Sequence, residues 1–402
     1  MSDFNWREKE LIFKPIYTKL KFQKINKEFS GITPPSIFIG SKLDYPNLNV
    51  GILSPITLEE KPSHYDNPEY WYSQKLSINQ IIDYRTNLMN SRFKTNAKGV
   101  RTNSKLIQLS QEVAMSMKHT NIDFSLKKRP FIQQSFDKIT SQFGPTAEIE
   151  NAKATENISI PTSVEKIYND TDLKAADAIE TLTKKSFNEY QITQLLSAGT
   201  LGLKYNRRFV PTRFSITATD DILCKLILNE VKSNQQINEN RIYFGNYLGN
   251  YFMIILLKGL WSYELFEMYM PDFISKEEKI DYTTDYEFYF GRKNYAENCV
   301  GGYYAARLPI TELLKKEKIQ ASVIVLRFIT SEYKIPLGVF VVRQAVKSSL
   351  QSTPILYENR KETLKRAQEI ILKIFKYNIS NIIKESKVLN NIKKQTTLAE
   401  FI

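Results

Sequence analysis

The sequence predicts an α+β fold in which mixed sheets are flanked by helices. Two observations carry this prediction. Apolar residues recur at helical spacing in several segments, whereas other segments are short runs rich in valine and isoleucine, as in strands covered on at least one face. The chain has 402 residues, of which 42% are hydrophobic. Because a chain of this length can bury a large core, two lobes are expected.

An N-terminal lobe is expected over residues 1–150. Between Gly31 and Pro55 the chain is punctuated by proline and glycine, which favours short strands joined by tight turns. Residues 76–89 and 106–117 have the apolar spacing of amphipathic helices. The polar, turn-rich stretch 141–163 indicates the lobe boundary, although it also fits a long loop.

A C-terminal α+β lobe is expected over residues 151–388. Helices are predicted at 175–185 and 189–198, before glycines that suit helix ends. Runs with strand composition follow at 214–218, 241–247, 251–257, 322–329 and 338–346. A Leu-Gly-Asn turn joins the second and third runs, and it favours a hairpin.

The end of the chain is predicted to form a long amphipathic helix and then a flexible peptide. From Glu362 onward, apolar residues recur at helical spacing with lysines and arginines between them. The apolar stripe of this helix is expected to pack on the body of the protein. Residues 389–402 are expected to form a flexible tail.

The charge balance favours a polyanionic partner. The chain has 56 Lys plus Arg against 43 Asp plus Glu, a formal net charge of +13. Such a charge speeds the encounter with nucleic acid, but it also fits a basic, solvated surface that keeps the protein soluble.

Several classes of protein are excluded by what the sequence lacks. Cys224 and Cys299 are isolated, as are His64 and His119, so neither a disulfide framework nor a metal site is expected, and no cofactor is predicted. The first 24 residues do not form a signal peptide. The most apolar run, 251–257, is much shorter than the roughly 20 residues of a membrane span. We expect no membrane association and a cytoplasmic, nucleoid-associated protein.

The strongest local motif is at the C-terminus. One helical turn would place Leu398, Phe401 and Ile402 on one side as a hydrophobic plug, with Gln395 left to donate or accept hydrogen bonds. The alternative is a frayed end whose apolar side chains fold back on the body. The four residues resemble the PCNA-interacting peptide, except that Ile402 stands where a second aromatic residue is commoner.

A second candidate site is the arginine-rich segment that begins at Asn206. Arg207, Arg208 and Arg213 carry guanidinium groups suited to phosphate or carboxylate. They are predicted either to bind nucleic acid or to form an internal network with carboxylates, and the candidates for that network are Asp220, Asp221 and Glu287.

A third candidate site lies between Asp285 and Arg307, where a predicted strand leads to a predicted helix. Glycines there allow close approach of a ligand to the backbone, arginines supply charge and tyrosines supply flat faces for a base. The residues are Arg292, Gly301, Gly302, Tyr303, Tyr304 and Arg307, with Tyr295 beside them. Packing is the alternative role of each tyrosine.

Long segments of the chain resemble the archaeal Nre family of DNA repair proteins. They are residues 34–55, 206–221, 291–314 and 332–344, whose sequences include PPSIFIGSKLDYP, NRRFVPTRFSITATDD and NYAENCVGGYYAARLP. The resemblance implies a part in the response to DNA damage and association with PCNA through the terminal peptide. Some members carry an N-terminal zinc element with four cysteines, which this sequence lacks.

Three functions remain open from the sequence. The first is a DNA repair factor that the PCNA clamp recruits through the terminal peptide and whose basic body meets damaged DNA or other repair proteins. The second is an enzyme of nucleotidyl or ADP-ribosyl transfer, with Glu312 or Asp285 as the catalytic carboxylate. The third is an adaptor that binds the clamp and a protein but not DNA.

Overall fold

The computed structural model describes residues 27–55, 62–131, 139–141, 143–271 and 280–399. Within these ranges the fold is α+β, as predicted. Two six-stranded mixed sheets are flanked by helices. The described chain divides into two compact units between Thr219 and Asp220.

The first unit contains six strands and six helices among its described residues. The strands are β1 (Glu28–Thr33), β2 (Ile37–Ile39), β3 (Asn47–Pro55), β4 (Leu88–Asn96), β5 (Thr120–Leu126) and β6 (Thr146–Ala154). The helices are α1 (Pro68–Ser73), α2 (Ile78–Thr86), α3 (Lys105–Met115), α4 (Thr162–Asn169), α5 (Ala175–Lys184) and α6 (Glu189–Ser197), with 3-10 turns at Pro62–Asp66, Ala97–Arg101 and Lys204–Asn206.

The sheet of the first unit has the order β1-β5-β6-β4-β3-β2, and its strands are antiparallel except for the β4–β6 pair. Val50 and Ile52 of β3 are buried against Val113 of α3 and Phe124 of β5. The alternation along each strand therefore gives one face to a shared core.

The second unit begins within α7 (Thr212–Val231). Its strands are β7 (Gln235–Gln236), β8 (Asn240–Tyr247), β9 (Asn250–Leu257), β10 (Ser262–Tyr269), β11 (Tyr282–Glu287), β12 (Ile319–Gln320), β13 (Ser322–Ile329) and β14 (Ile355–Tyr357). Its helices are α8 (Val300–Glu317), α9 (Phe340–Leu350), α10 (Arg360–Phe375), α11 (Ser380–Glu385) and α12 (Lys387–Ala399).

The sheet of the second unit has the order β11-β10-β13-β9-β8-β14. Every residue of β13 is buried, as expected for a strand covered on both faces. The predicted hairpin of β8 and β9 is confirmed, because Leu248 and Gly249 form its two-residue loop with φ values of 49° and 73°. Positive φ at both positions matches the twist of the paired strands.

Two predicted strands are helices instead. Residues 214–218 lie in α7, and most of residues 338–346 lie in α9. Both segments are rich in β-branched residues, which favour strands only weakly when packing favours a helix. Helix α9 lies against β8 so closely that a β-carbon on Gly245 would come within 2.7 Å of the Ser349 Cα.

The division between the compact units differs from the lobe boundary expected near residue 150. That position lies within β6, which pairs with both β5 and β4. The polar composition of 141–163 therefore reflects a strand with exposed positions as well as loops.

The amphipathic segment from Glu362 onward forms α10, which ends at Phe375 because Lys376 takes a left-handed conformation. Helices α11 and α12 follow. The expected tail of residues 389–402 begins inside α12, where Leu389 and Ile392 belong to the core. No helix among the described residues has the length and apolarity needed to cross a membrane.

A buried carboxylate holds the start of α12. Glu264 of β10 is fully buried and accepts hydrogen bonds from the backbone N–H groups of Lys387 and Val388, each at 3.0 Å, and from the Ser386 hydroxyl. A carboxylate suits a helix N-terminus because it satisfies free N–H groups and opposes the helix dipole.

We expect Glu264→Gln to lower the free energy of unfolding by about 1–3 kcal/mol, because the amide nitrogen cannot accept the hydrogen bonds that the second carboxylate oxygen accepts. Denaturant unfolding measures the change. The matched control is Glu369→Gln in the exposed side of α10, which should change stability by less than about 0.5 kcal/mol. Equal effects of the two substitutions would contradict the capping role.

Candidate functional site

The three arginines of the second candidate site have different environments. Arg207 is buried, and its guanidinium donates to the carbonyls of Gly202 at 2.8 Å, Tyr168 at 2.7 Å and Asp170 at 2.8 Å. It thereby satisfies carbonyls at the C-terminal end of α4. Arg207 therefore has a structural role and does not face a phosphate.

The other two arginines are more accessible. Arg208 is exposed, and its guanidinium donates to the nearby Asn206 carbonyl at 3.4 Å. Arg213 is half-buried in the first turn of α7, with its guanidinium 5.5 Å from the ring centre of Phe214. Phe214 is 52% exposed, so this end of α7 presents an aromatic ring together with a charge.

Arg208 belongs to a basic surface that two segments of the first unit create. The Phe209 N–H donates to the Ala97 carbonyl at 2.8 Å, and the Arg101 guanidinium donates to the Tyr205 carbonyl. These contacts bring together Lys98, Arg101, Lys204, Tyr205 and Arg208, which we call the basic corner. All five are exposed, and Tyr205 is 68% exposed. Asp170 and Asp172 lie nearby, since Lys204 donates its N–H to the Thr171 carbonyl.

The glycines of the third candidate site serve close packing. Gly301 and Gly302 are buried in the first turn of α8. A β-carbon on Gly302 would come within 2.3 Å of the Glu267 Oε1 atom. Glu267 is in turn ion-paired with Arg327 at 2.6 Å. The missing side chain of Gly302 therefore leaves space for the Glu267 carboxylate. The sequence predicts space for a ligand at this turn instead.

Arg307 is the centre of a buried ionic cluster. Its two terminal nitrogens donate to carboxylates of Glu287 on β11 and Asp221 on α7. Glu287 also accepts from the Tyr303 hydroxyl at 2.9 Å and from the Trp261 indole at 3.1 Å. Arg307 and Glu287 are each 2% exposed. Removing one member of such a cluster leaves an uncompensated buried charge. The cluster therefore holds β11, α7 and α8 together.

A second buried ion pair joins the same helix, α7, to α9. Asp220 accepts two hydrogen bonds from the Arg343 guanidinium, at 2.9 and 2.7 Å. The internal network predicted from sequence thus uses the expected carboxylates, Asp220, Asp221 and Glu287. Its cations are Arg343 and Arg307, however, and not the arginines of the 206–213 segment. The sequence does not indicate Arg343 as a partner, because residues 338–346 have the composition of a strand and not of the helix that they form.

Strand β11 shows an inverted alternation. Asp285 and Glu287 point inward and are 4% and 2% exposed, whereas Tyr286 and Phe288 are 37% and 36% exposed. Asp285 accepts N–H bonds from Asn298 and Cys299, at 2.8 and 2.7 Å, and pairs with Arg292 at 3.0 Å. The Asp285 carboxylate therefore fixes the backbone that precedes α8. The Arg292 guanidinium compensates the buried negative charge.

Burial controls ionisation in this region. It raises the pKa of Tyr303 and Tyr263 well above their ordinary value and that of Tyr304 to about 12. Burial also raises the pKa of the Cys224 thiol to about 12. The tyrosines and the thiol are therefore neutral at physiological pH, and Cys224 is not activated as a nucleophile.

The remaining predicted residues are placed as follows. Glu312 is exposed on α8. Tyr295 is 46% exposed and its ring lies 4.8 Å from that of Tyr304. Of the terminal peptide, Gln395 and Leu398 belong to the helical backbone of α12, and Phe401 and Ile402 lie outside the described residues.

The sequence reasoning missed the exposed aromatic residues Tyr286, Phe288 and Phe290. A signal was present, because acidic and aromatic residues alternate from Asp285 to Phe288. A strand normally turns its aromatic side chains inward. The alternation did not reveal that buried arginines would reverse this preference.

The neutral tyrosines predict a loss of stability at alkaline pH. Because the pKa values of these tyrosines are raised in the folded state, their contribution to the free energy of unfolding is complete below the unfolded pKa of about 10. For Tyr304 it is lost as the pH rises from there to about 12. Each raised tyrosine should lower the free energy of unfolding by about 1.4 kcal/mol per pH unit in this window. Denaturant unfolding between pH 9 and pH 11.5, roughly that window, measures it. Tyr304→Phe should reduce the slope, and a flat profile would contradict the prediction.

Comparison with known proteins identifies the family. Residues 11–274 match the family model described as archaeal Nre, N-terminal, and residues 287–401 match archaeal Nre, C-terminal. The chain is 31% identical over 392 residues to DNA repair protein NreB of Archaeoglobus fulgidus, covering 96% of each chain. It is 32% identical over 385 residues to DNA repair protein NreA of the same organism, covering 96% of this chain and 93% of the relative.

A third relative is DNA repair protein NreA of Haloferax volcanii, at 32% identity over 329 residues, which covers 80% of this chain and 78% of the relative. No solved structure matches the chain. The resemblance that the sequence motifs indicated is confirmed by family models over both parts of the chain, and the protein belongs to the archaeal Nre family.

Proposed function

We propose that this protein is a DNA repair factor that the PCNA sliding clamp recruits through the C-terminal peptide. The observation that carries the repair role is family membership, since relatives aligned over 96% of this chain are named DNA repair proteins. The clamp as partner is supported by the spacing of Gln395, Leu398, Phe401 and Ile402.

The fold supplies a suitable base for such a peptide. Glu264 and the core residues Val388, Leu389 and Ile392 hold the first half of α12 on the second unit. The motif follows at once, between residue 395 and the last residue of the sequence, 402. A peptide attached in this way can recruit the rest of the protein to DNA without a conformational change in it.

The enzyme alternative finds no support in the residues on which it relied. Arg307 and Tyr303 contact Glu287, Gly302 packs beside Glu267, and Asp285 accepts backbone N–H bonds. The adaptor alternative differs from our proposal in one property, the binding of DNA by the body.

Replacement of Leu398 and Phe401 by alanine should abolish PCNA binding and leave the fold intact. Each side chain buried in a clamp pocket contributes about 1.5–3 kcal/mol, so the double variant should bind more than about a hundredfold more weakly. Calorimetric titration of the clamp with the full chain measures this. The matched control is Thr396→Ala with Thr397→Ala, at the first two free positions of the motif, which should bind as the wild type does. Unchanged binding by the Leu398 and Phe401 variant removes the clamp from the proposal.

The basic corner is the surface of the first unit that we propose meets the DNA backbone. Its four cations, Lys98, Arg101, Lys204 and Arg208, are exposed and Tyr205 lies among them. Lysine and arginine that contact phosphates release bound counterions, so binding here should be salt-dependent and insensitive to sequence.

Arg208→Glu should weaken DNA binding and lower the salt dependence by about one counterion, with no change in the melting temperature. Lys184→Glu is the control for total charge, because Lys184 is 73% exposed on α5, outside the basic corner. Its effect on affinity should be small. Arg207→Ala should instead lower the melting temperature, since its hydrogen bonds to α4 contribute about 2 kcal/mol or more. Anisotropy with labelled DNA and a melting curve separate these outcomes, and equal affinities of the two glutamate variants would contradict the assignment.

A further inference from the structure

An exposed row of aromatic side chains lies at the edge of the second sheet. Tyr286, Phe288 and Phe290 alternate along the end of β11 and the turn after it, with 37%, 36% and 95% of each exposed. Tyr295 lies beside them in sequence and is 46% exposed. We call these four residues the aromatic edge. Exposing several large rings together is unfavourable in water, and such a patch marks an interaction surface.

We propose that the aromatic edge stacks against unpaired bases of single-stranded or distorted DNA. The inference rests on the proposed function and specifies which DNA structure the protein recognises. It is independent of the clamp peptide, because it concerns residues of the sheet and not of the tail.

Ion pairs of the inward-facing residues of β11 hold the rings in their exposed positions. Glu287 is anchored by Arg307 and Trp261, and Asp285 by Arg292, so that β11 cannot turn its aromatic residues inward. A shift of one residue would bury the rings but would also expel both carboxylates from their cationic partners. The exposure of the rings is therefore a fixed property of the folded unit.

The turn that carries Phe290 is also ordered by specific contacts. The Gly291 N–H donates to the Phe288 carbonyl at 2.8 Å, and Gly291 has a φ of 79°. The Arg292 guanidinium donates to the carbonyls of Tyr286 at 2.8 Å and Tyr295 at 3.2 Å. Phe290 thus projects from a rigid turn, which lowers the entropic cost of stacking on it.

The tilt of the rings favours an unstacked strand. The ring centres of Tyr286 and Phe288 are 5.2 Å apart and their planes are inclined by 54°, so two bases that stack on these rings cannot lie parallel to each other. Bases that lie on successive rings must therefore be separated from one another, as they are in single-stranded DNA and at lesions that disrupt pairing. Intact duplex DNA does not present its bases in this way.

The charges near the rings favour a nucleic acid over an apolar protein. The Lys232 ammonium lies 5.2 Å from the ring centre of Tyr289, which is outside the aromatic edge but lies 5.4 Å from the ring centre of Phe290. The Tyr289 hydroxyl donates to the Lys232 carbonyl. Lys293 is exposed beside Arg292, and the chain as a whole carries a net charge of +13. Among the described residues 280–299, the exposed acidic residues are Asp281 and Glu297. Cations next to aromatic rings can bind the phosphates of a nucleic acid while the rings stack on its bases.

The test uses the full chain and a fluorescein-labelled oligothymidine of about 20 nucleotides, longer than the site size of one single-strand binding module. Phe290→Ala should weaken binding at least about fivefold, and the pair Phe288→Ala and Phe290→Ala about 25-fold or more. A duplex of the same length should bind less tightly than the single strand. Tyr269→Ala, which truncates a 52% exposed tyrosine at the end of β10, is the matched control and should bind as the wild type does.

Two further variants separate stacking from simple apolar contact. Phe290→Trp should retain affinity, and the oligonucleotide should quench its fluorescence more than that of the wild type, which carries Trp6, Trp71 and Trp261. Phe290→Leu should bind as weakly as Phe290→Ala, because leucine has no flat face. Equal binding of the leucine variant and the wild type would overturn the inference.

The outcome is distinguishable from failure of the proposed function. PCNA titration of the Phe290→Ala variant should be unchanged, because the clamp peptide is intact. If oligonucleotide affinity is the same in the wild type and the Phe290→Ala variant, the inference fails whether or not the clamp binds. If Phe290→Ala instead loses a protein partner while oligonucleotide binding persists, the aromatic edge is a protein-docking surface and the inference is overturned.

Discussion

The ion cluster around Arg307 is the constraint on which much of the second unit depends. It joins β11, α7 and α8 through Glu287 and Asp221; Arg307 and Glu287 are almost fully buried, and the Asp221 side chain is 22% exposed. Burying these charges is unfavourable unless every partner is present, and breaking such a cluster costs about 3–5 kcal/mol. The inward position of Glu287 also sets the opposite direction for Tyr286 and Phe288, because side chains alternate along a strand.

Two carboxylates on β10, the buried Glu264 and the half-buried Glu267, position helices on opposite faces of the same sheet. Glu267 pairs with Arg327 and lies against Gly302 in the first turn of α8. Glu264 caps α12. The two residues are three positions apart and therefore face opposite sides of the strand. Electrostatics thus fixes where α12 begins, and with it the point from which the terminal peptide continues.

The fold class and many elements were predictable because their signals are local. Helices α3, α5 and α6 and the β8–β9 hairpin follow from spacing and turn residues. The errors at 214–218 and 338–346 arose where β-branched residues occur in helices, since propensity is weaker than tertiary packing. In the candidate site, sequence identified the carboxylates of the network but not their partners. Pairing Asp220 with Arg343 spans 123 positions, and no local pattern encodes such a distance.

The proposed division of labour between tail and body explains how weak contacts could suffice at DNA. A peptide held by the clamp keeps the body at an effective concentration on the order of 1 mM near the enclosed strand. A body with a dissociation constant of about 100 μM would then be bound about nine-tenths of the time. Free in solution, the same surface would leave undamaged DNA quickly. A few exposed rings and a small basic corner are therefore adequate for a factor that another protein delivers to DNA, whereas a factor that searches DNA alone needs a larger interface.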